Sequence, residues 1–287
     1  MSAQDDPTRE QSLPSPSELL RAYARPAKKR YGQNFLTDPR LLDKIVALAT
    51  TEPGQEILEI GPGPGGLTSR LLSAGARVRA IEMDPDAVAF LRGTLALDWS
   101  LDVIEGDALS GVLEEELDRR PHAVIGNLPY HVATEILFRM VDHVCAPRRM
   151  VLMFQREVAE RIVAPGASRT FGLLALGTQL RYRTRIALQV APGSFLPPPK
   201  VRSSVVVLEE IDPPIASDEE RAAVRMLGRS AFGQRRKQIR NALGRVDGDT
   251  EQLLERAEIE PSRRAEELCV EDFLRLARVW IALRRSV

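Results

Sequence analysis

Ile57-Leu58-Glu59-Ile60-Gly61-Pro62-Gly63-Pro64-Gly65-Gly66 passes from an apolar run directly into a turn of glycine and proline. A short apolar run bounded by such turn signals reads as a buried strand. Glycines in the turn let the backbone bend sharply and let a ligand come close to it. Helical spacing follows from Leu67 to about Ser73, Gly75 interrupts it, and Val78 to Ile81 reads as the next strand. Glu82 closes that strand, 21 residues beyond Gly61. A carboxylate in that position accepts hydrogen bonds from ribose hydroxyls.

The alternation continues outward from this βαβ unit. Asp86 to Leu97 is helix-like, and Leu101 to Ile104 is a strand ending in Glu105-Gly106-Asp107-Ala108. A weakly helical acidic stretch to Arg120 precedes Ala123-Val124-Ile125-Gly126, which runs into Asn127-Leu128-Pro129-Tyr130. An amphipathic helix is expected from about His131, and Met150 to Phe154 is a further buried strand. Strands alternating with helices define an α/β fold with a mostly parallel sheet and right-handed crossovers. Gly61, Glu82, Asp107 and Asn127 all fall at strand ends, the edge where open α/β sheets hold their ligands. Asp107 is placed to hold an adenine amine. Asn127 offers one acceptor and two donors, and Tyr130 a flat face, a pair suited to a planar, amine-bearing base.

Two nucleoside cofactors fit this edge, a nicotinamide dinucleotide and S-adenosylmethionine. Gly66 stands where the dinucleotide fingerprint has its third glycine, so spacing leaves both open. The Asn-Leu-Pro-Tyr element favours S-adenosylmethionine, because hydride transfer has no need for an amine clamp.

Lys and Arg together number 40, as do Asp and Glu, and the formal net charge is zero. The distribution is uneven. Arg221 to Arg245 holds eight basic residues and no acid, and Arg21 to Arg30 holds five. Such local runs point to a polyanionic partner that the whole-chain balance conceals. Two cysteines (Cys145, Cys269) and three histidines argue against a structural zinc site or a disulfide scaffold, and for a reducing, cytoplasmic setting. No apolar stretch approaches the roughly 20 residues that span a bilayer.

Residues 1–27 are expected as a flexible tail, although Ser17 to Ala24 has the spacing of a short helix. Residues 28–212 are expected as the Rossmann-like domain. Pro213-Pro214 marks a boundary, and residues 213–287 read as a small helical domain with a basic face. The loop Gly193-Ser194-Phe195-Leu196-Pro197-Pro198-Pro199-Lys200 is stiffened by three prolines. Phe195 in it is either a ring held at the site or a core residue.

These motifs in this order resemble the KsgA/RsmA family of ribosomal RNA adenine dimethyltransferases. The resemblance rests on Tyr31-Gly-Gln-Asn-Phe-Leu36, Glu59-Ile-Gly-Pro-Gly63, Ile81-Glu82, Gly106-Asp-Ala108 and Asn127-Leu-Pro-Tyr130. It continues through Gln155-Arg-Glu-Val158, Phe195-Leu-Pro-Pro-Pro-Lys-Val201, Ser203-Ser-Val-Val206 and Phe232-Gly-Gln-Arg-Arg-Lys237, so only the N-terminal tail lies outside it. Phe171-Gly172 departs from the family's frequent Tyr-Gly, as does Val201-Arg202-Ser203, where an acidic residue often precedes the serine.

The resemblance implies a class I S-adenosylmethionine-dependent methyltransferase with a C-terminal helical domain. It implies a cofactor site of Gln33, Asn34, Leu36, Gly61, Gly63, Glu82, Met83, Asp107, Ala108 and Asn127. The target adenine would meet Asn127, Leu128, Pro129 and Tyr130, with Phe195 as a second stacking ring. Lys28, Lys29, Arg30, Arg235, Arg236, Lys237 and Arg240 would hold RNA phosphates. The implied substrate is a pair of adjacent adenosines in a hairpin loop near the 3′ end of 16S ribosomal RNA, within an immature 30S particle. The expected enzyme is a monomer needing no metal and no membrane. Three alternatives stand beside it: an Erm-type enzyme acting on large-subunit RNA, an assembly factor acting mainly by binding, and a DNA adenine methyltransferase.

Overall fold

The computed structural model describes residues 13–49, 52–96, 100–244, 246 and 249–285, without the side chain of Lys29. Seven strands build the main sheet: β1 (Glu56–Ile60), β2 (Arg77–Glu82), β3 (Leu101–Glu105), β4 (Ala123–Gly126), β5 (Arg149–Gln155), β6 (Tyr182–Val190) and β7 (Ser203–Glu210). Their order is 3-2-1-4-5-7-6, with β7 alone antiparallel to its neighbours. Ile57, Leu58 and Ile60 are buried, as are Val124 and Ile125, which explains why these central strands read as continuous apolar runs. Ile60 pairs with both Ile81 and Gly126, and Glu82 pairs with Glu105. The parallel strands therefore end level with one another.

The helices lie on both faces. In the N-terminal part they are α1 (Pro16–Tyr23), α2 (Pro39–Ala49), α3 (Gly66–Ser73) and α4 (Pro85–Thr94). They are followed by α5 (Val112–Asp118), α6 (Ala133–Asp142), α7 (Arg156–Ile162) and α8 (Leu173–Gln179). The first of these corrects the expected tail. Ser15 and Glu18 cap α1 reciprocally, each side chain accepting the other's backbone N–H, and Leu19 and Tyr23 are buried. Leu19 joins the core that contains Leu91 and Leu95. Tyr23 meets Phe35 and Phe90 edge-on at 6.1 and 5.3 Å. Residues 13–27 thus belong to the fold, because an apolar helix face found a partner; residues 1–12 lie outside the described residues.

Beyond Pro213-Pro214 come α9 (Asp218–Gly233), α10 (Ile239–Leu243), α11 (Thr250–Arg256) and α12 (Val270–Arg285), with no main-sheet strand among the described residues. A Ser217–Glu220 capping box starts α9. The apolar core, however, does not divide at residue 212. Leu174 of α8 packs in the cluster under the sheet, while Ala175 and Leu176 pack with Leu227 and Phe273 of the helical part. A Cβ on Gly228 would stand 2.7 Å from a Leu176 methyl, so glycine is what lets α9 lie this close to α8.

Candidate active site

A cleft with about 90 Å³ of cavity volume, open to solvent on one side, lies at the carboxyl ends of β1 to β4. It straddles β1 and β4, where the strand order reverses, the usual place for a ligand in such sheets.

The turn after β1 forms its floor. Gly61, at φ +70°, donates its N–H to the Ile81 carbonyl at 2.9 Å, and an added Cβ would meet no protein atom within 4 Å. Gly63, at φ +55°, donates to Glu82 Oε2 at 2.9 Å, and a Cβ there would stand 3.0 Å from the Phe35 ring. The other oxygen of Glu82 accepts the Asp84 N–H at 2.8 Å. Glu82 is buried, and burial pushes its carboxyl above the usual range against the opposing effect of those backbone bonds. Met83 is 41 % exposed beside it. Asp107 is exposed; one oxygen accepts the Leu109 N–H at 2.8 Å, and the other has no protein partner among the described residues. Ala108 is buried next to it.

The opposite wall is the segment from Lys28 to Leu36. Tyr31, Gln33 and Asn34 line the cavity, while Leu36 lines a smaller chamber beside it, together with Glu59 and Gly66. Two residues here differ from expectation. Lys28 does not face solvent as a phosphate ligand: its Nζ lies 2.6 Å from both Asp84 and Asp86. Asp84 is fully buried and needs a counter-charge, which holds Lys28 in place. Gln33 lines the cavity, but its amide is spent on the fold, accepting the Lys28 N–H at 2.8 Å and donating to Asp84 at 2.9 Å. Asp84 also caps α4 and was missed in the sequence, although Asp84-Pro85 carries the signal of a capping acid followed by proline at the first helical position.

Asn127 closes the circuit. Its Nδ2 donates to the Asn34 carbonyl at 2.8 Å, and no described group donates to its Oδ1 or to the Leu128 carbonyl. Both residues line the cavity with Pro129 and Tyr130. The half-buried Tyr130 is fixed by a 2.5 Å hydrogen bond between its hydroxyl and Ser203 at the start of β7. Burial raises the phenol pKa, so it stays neutral. Ser203 is a second residue the sequence reading did not assign.

Phe195 is not at the cavity. It is 3 % exposed within the main core cluster, and Phe195–Leu196 forms a two-residue antiparallel ladder with Phe35–Leu36. The long-range pairing with Leu36 holds the ring in the core rather than in the cavity.

Glu59 is fully buried in the smaller chamber and accepts a hydrogen bond from Thr68 at 2.7 Å. Burial is the larger influence on its pKa, pushing it up to about 8.

Among the basic residues, Arg30 lies over the Tyr31 ring at 4.6 Å. Arg235 is engaged internally, bonding Glu266 at 2.8 Å and the carbonyls of Arg169 and Phe171. It ties the helical part to the loop before α8 and is not a free cation, contrary to expectation. Arg236, Lys237 and Arg240 are exposed, and none has an ion-pair partner among the described residues. The Lys29 side chain lies outside the described residues.

One group of three possible metal ligands exists among the described residues: Asp118, His143 and Cys145. His143 Nδ1 accepts the Cys145 N–H at 3.1 Å, and Nε2 faces Asp118 at 3.7 Å. The Nδ1 lone pair is thereby used within the protein.

A mostly parallel 3-2-1-4-5-7-6 sheet with β7 reversed, and an acidic strand end beside a glycine turn, define a class I S-adenosylmethionine-dependent methyltransferase. The sequence model of the ribosomal RNA adenine dimethylase family matches residues 24–281, and the chain belongs to that family. It is 42 % identical over 286 residues to the ribosomal RNA small subunit methyltransferase A of Anaeromyxobacter sp. (strain K), covering 96 % of this chain and 98 % of that one. Its identity to the protein of the same name from Mesorhizobium japonicum is 44 % over 277 residues, covering 92 % and 97 %. The crystal structure of a dimethyladenosine transferase from Plasmodium falciparum superposes with a TM-score of 0.72 at 27 % identity, over 84 % of this chain and 95 % of that one. The 23S rRNA methyltransferase ErmE has a TM-score of 0.66 at 23 % identity, over 86 % and 99 %, and shares the fold. Among the described residues no helix is long and apolar enough to cross a membrane.

Proposed function

We propose that this chain methylates the exocyclic amines of two adjacent adenosines in a hairpin loop near the 3′ end of small-subunit ribosomal RNA, on an immature 30S particle. One observation carries the amine chemistry: Asn127 and Leu128, whose Oδ1 and backbone carbonyl have no donor among the described residues, line one cavity with Tyr130. The name shared by the bacterial relatives supports the small subunit as the target.

The cavity suits S-adenosylmethionine. Gly61 leaves room where a side chain would intrude, Glu82 can accept from ribose hydroxyls, the free oxygen of Asp107 can accept an adenine amine, and exposed Met83 offers apolar contact. The bound cofactor supplies an electrophilic methyl group. An adenine amine is a weak nucleophile because its lone pair is delocalised into the ring. Hydrogen bonds from its two protons to Asn127 and Leu128 strengthen as positive charge develops on nitrogen, which favours the pyramidal transition state. Tyr130, immobilised by Ser203, gives the base a stacking wall worth about 1–3 kcal/mol and fixes its plane. Holding amine and methyl in line supplies the proximity effect. Arg236, Lys237 and Arg240 are exposed cations suited to phosphates.

The test is to map methylated adenosines in ribosomal RNA from a strain lacking the gene and from the same strain complemented. Restoration confined to large-subunit RNA would overturn the assignment. Labelled methyl groups entering small-subunit particles but not naked RNA would support the particle as substrate.

A further inference from the structure

Asp84 is more heavily bonded than its place at the head of α4 requires. A helix cap needs only an acceptor, and α11 takes one from exposed Asp249. Asp84 also caps its helix, Oδ1 accepting the Asp86 N–H at 3.1 Å, yet it is fully buried. Three further donors converge on it from 51 to 61 residues away: Lys28 Nζ at 2.6 Å, Gln33 Nε2 at 2.9 Å and the Tyr23 hydroxyl at 3.5 Å. Burial would raise its pKa, but the bonds from Lys28 and Gln33 hold the carboxyl below the usual range, so it is ionised.

Asp84 does not line the cavity, but it is bonded to residues on both of its sides. Its backbone N–H donates to Glu82 Oε1 at 2.8 Å, while Glu82 Oε2 accepts the Gly63 N–H at 2.9 Å. Its carboxylate holds Gln33, which lines the cavity and accepts the Lys28 N–H at 2.8 Å. Asp86 gives Lys28 a second anchor at 2.6 Å and pairs with Arg25 at 2.8 Å. The segment so held continues to Asn34, whose carbonyl accepts the Asn127 amide at 2.8 Å.

We propose that Asp84 is a positioning residue for the cofactor. One side chain fixes the wall segment through Lys28 and Gln33, and the N–H of the same residue orients Glu82 across the cavity. The role rests on the reading of the cavity as the cofactor site, given above. A cofactor held between Glu82 and the wall leaves when the wall moves away, which breaks the Lys28 and Gln33 bonds to Asp84. Charge-assisted hydrogen bonds in a buried setting are the strong ones, so they set the release rate. Methyl transfer itself takes place at Asn127, beyond the reach of Asp84, and is not slowed once the cofactor is bound.

The test uses the full-length protein and S-adenosylhomocysteine, with affinity, release rate and hydrogen exchange in residues 29–34 measured together. Asp84→Asn and Lys28→Met are each expected to weaken binding and speed release about tenfold, and to quicken exchange in that segment. With cofactor saturating, their turnover should stay within about threefold of wild type. Lys28→Arg, which keeps the charge, should restore affinity to within about threefold. Arg79→Met is the control for stability: it breaks a buried ion pair with Glu116 (2.5 Å) on the same strand as Glu82 but outside the cavity. It should lower the melting temperature and leave affinity within about twofold. Asp84→Asn and Lys28→Met that bind and release like wild type, or an Arg79→Met that weakens binding as much, would overturn the positioning role. If Glu82→Gln and Gly61→Ala also bind like wild type, the cavity is not the cofactor site; if they bind weakly, the positioning role alone falls.

Discussion

The carboxamide nitrogen of Asn127 points at the backbone carbonyl of Asn34, 2.8 Å away, across 93 residues of sequence. Only nitrogen can donate to a carbonyl, so this contact fixes the amide and turns Oδ1 away as a free acceptor. The wall segment and the amine clamp are thereby oriented by one bond.

Asn127→Asp is the sharpest probe of that geometry. A carboxylate has no N–H for the Asn34 carbonyl and would set one of its oxygens against it. Turnover is expected to fall about 10²-fold or more, comparable to losing one preorganised transition-state hydrogen bond. Single-turnover transfer of labelled methyl groups is the measurement, and a variant within threefold of wild type would remove Asn127 from the clamp.

Glu59 makes stability depend on pH. Its carboxyl, raised from 4.5 to about 8, keeps a proton in the folded chain that the unfolded chain has released over that window. The resulting contribution is complete below about pH 4.5, declines as pH rises, and is gone above about pH 8. Glu59→Gln keeps an acceptor for Thr68 and has no charge to bury. Its unfolding free energy should therefore gain on that of wild type as pH is raised from 5 to 8, by a difference on the order of a few kcal/mol. Parallel pH curves would refute the assignment.

Neighbouring arginines should behave differently. Arg236→Ala/Lys237→Ala should flatten the salt dependence of particle binding and leave the melting temperature nearly unchanged, because neither residue has an ion-pair partner among the described residues. Arg235→Ala should do the reverse, since it removes bonds to Glu266 and to two carbonyls. Lys28→Met should likewise lower the melting temperature without altering the salt slope, leaving buried Asp84 without its counter-charge.

Gly61→Ala separates room for the cofactor from backbone strain. A left-handed alanine costs about 1–2 kcal/mol wherever it occurs. At Gly61 it also sets a methyl in the cavity, so cofactor affinity should fall tenfold or more. Gly54→Ala, also at positive φ with no neighbour within 4 Å but outside the cavity, controls for strain. Equal cofactor affinities in the two variants would move the cofactor away from Gly61.

The parallel sheet was legible because Ile57 to Ile60 and Ala123 to Gly126 are buried on both faces and carry no competing pattern. The ligand edge was legible because order along the chain alone places Gly61, Glu82, Asp107 and Asn127 at strand ends. What escaped depends on contacts between distant residues. Lys28 and Arg235 counted as free cations until their partners, 56 and 31 residues away, came into view. Phe195 among prolines is compatible with exposure or burial, and only its register with Leu36 decides. The tail was overextended because the partners of Leu19 and Tyr23 lie far along the chain.

Helix α8 gives one face to the sheet and another to the C-terminal helices. A chain cut at residue 212 would leave Phe171 and Leu176 in water, so the catalytic half is not a separable module. The protein should melt as one cooperative unit in calorimetry. On that footing the helices beyond the sheet are expected to stay docked through turnover, with product leaving as its surface contacts break.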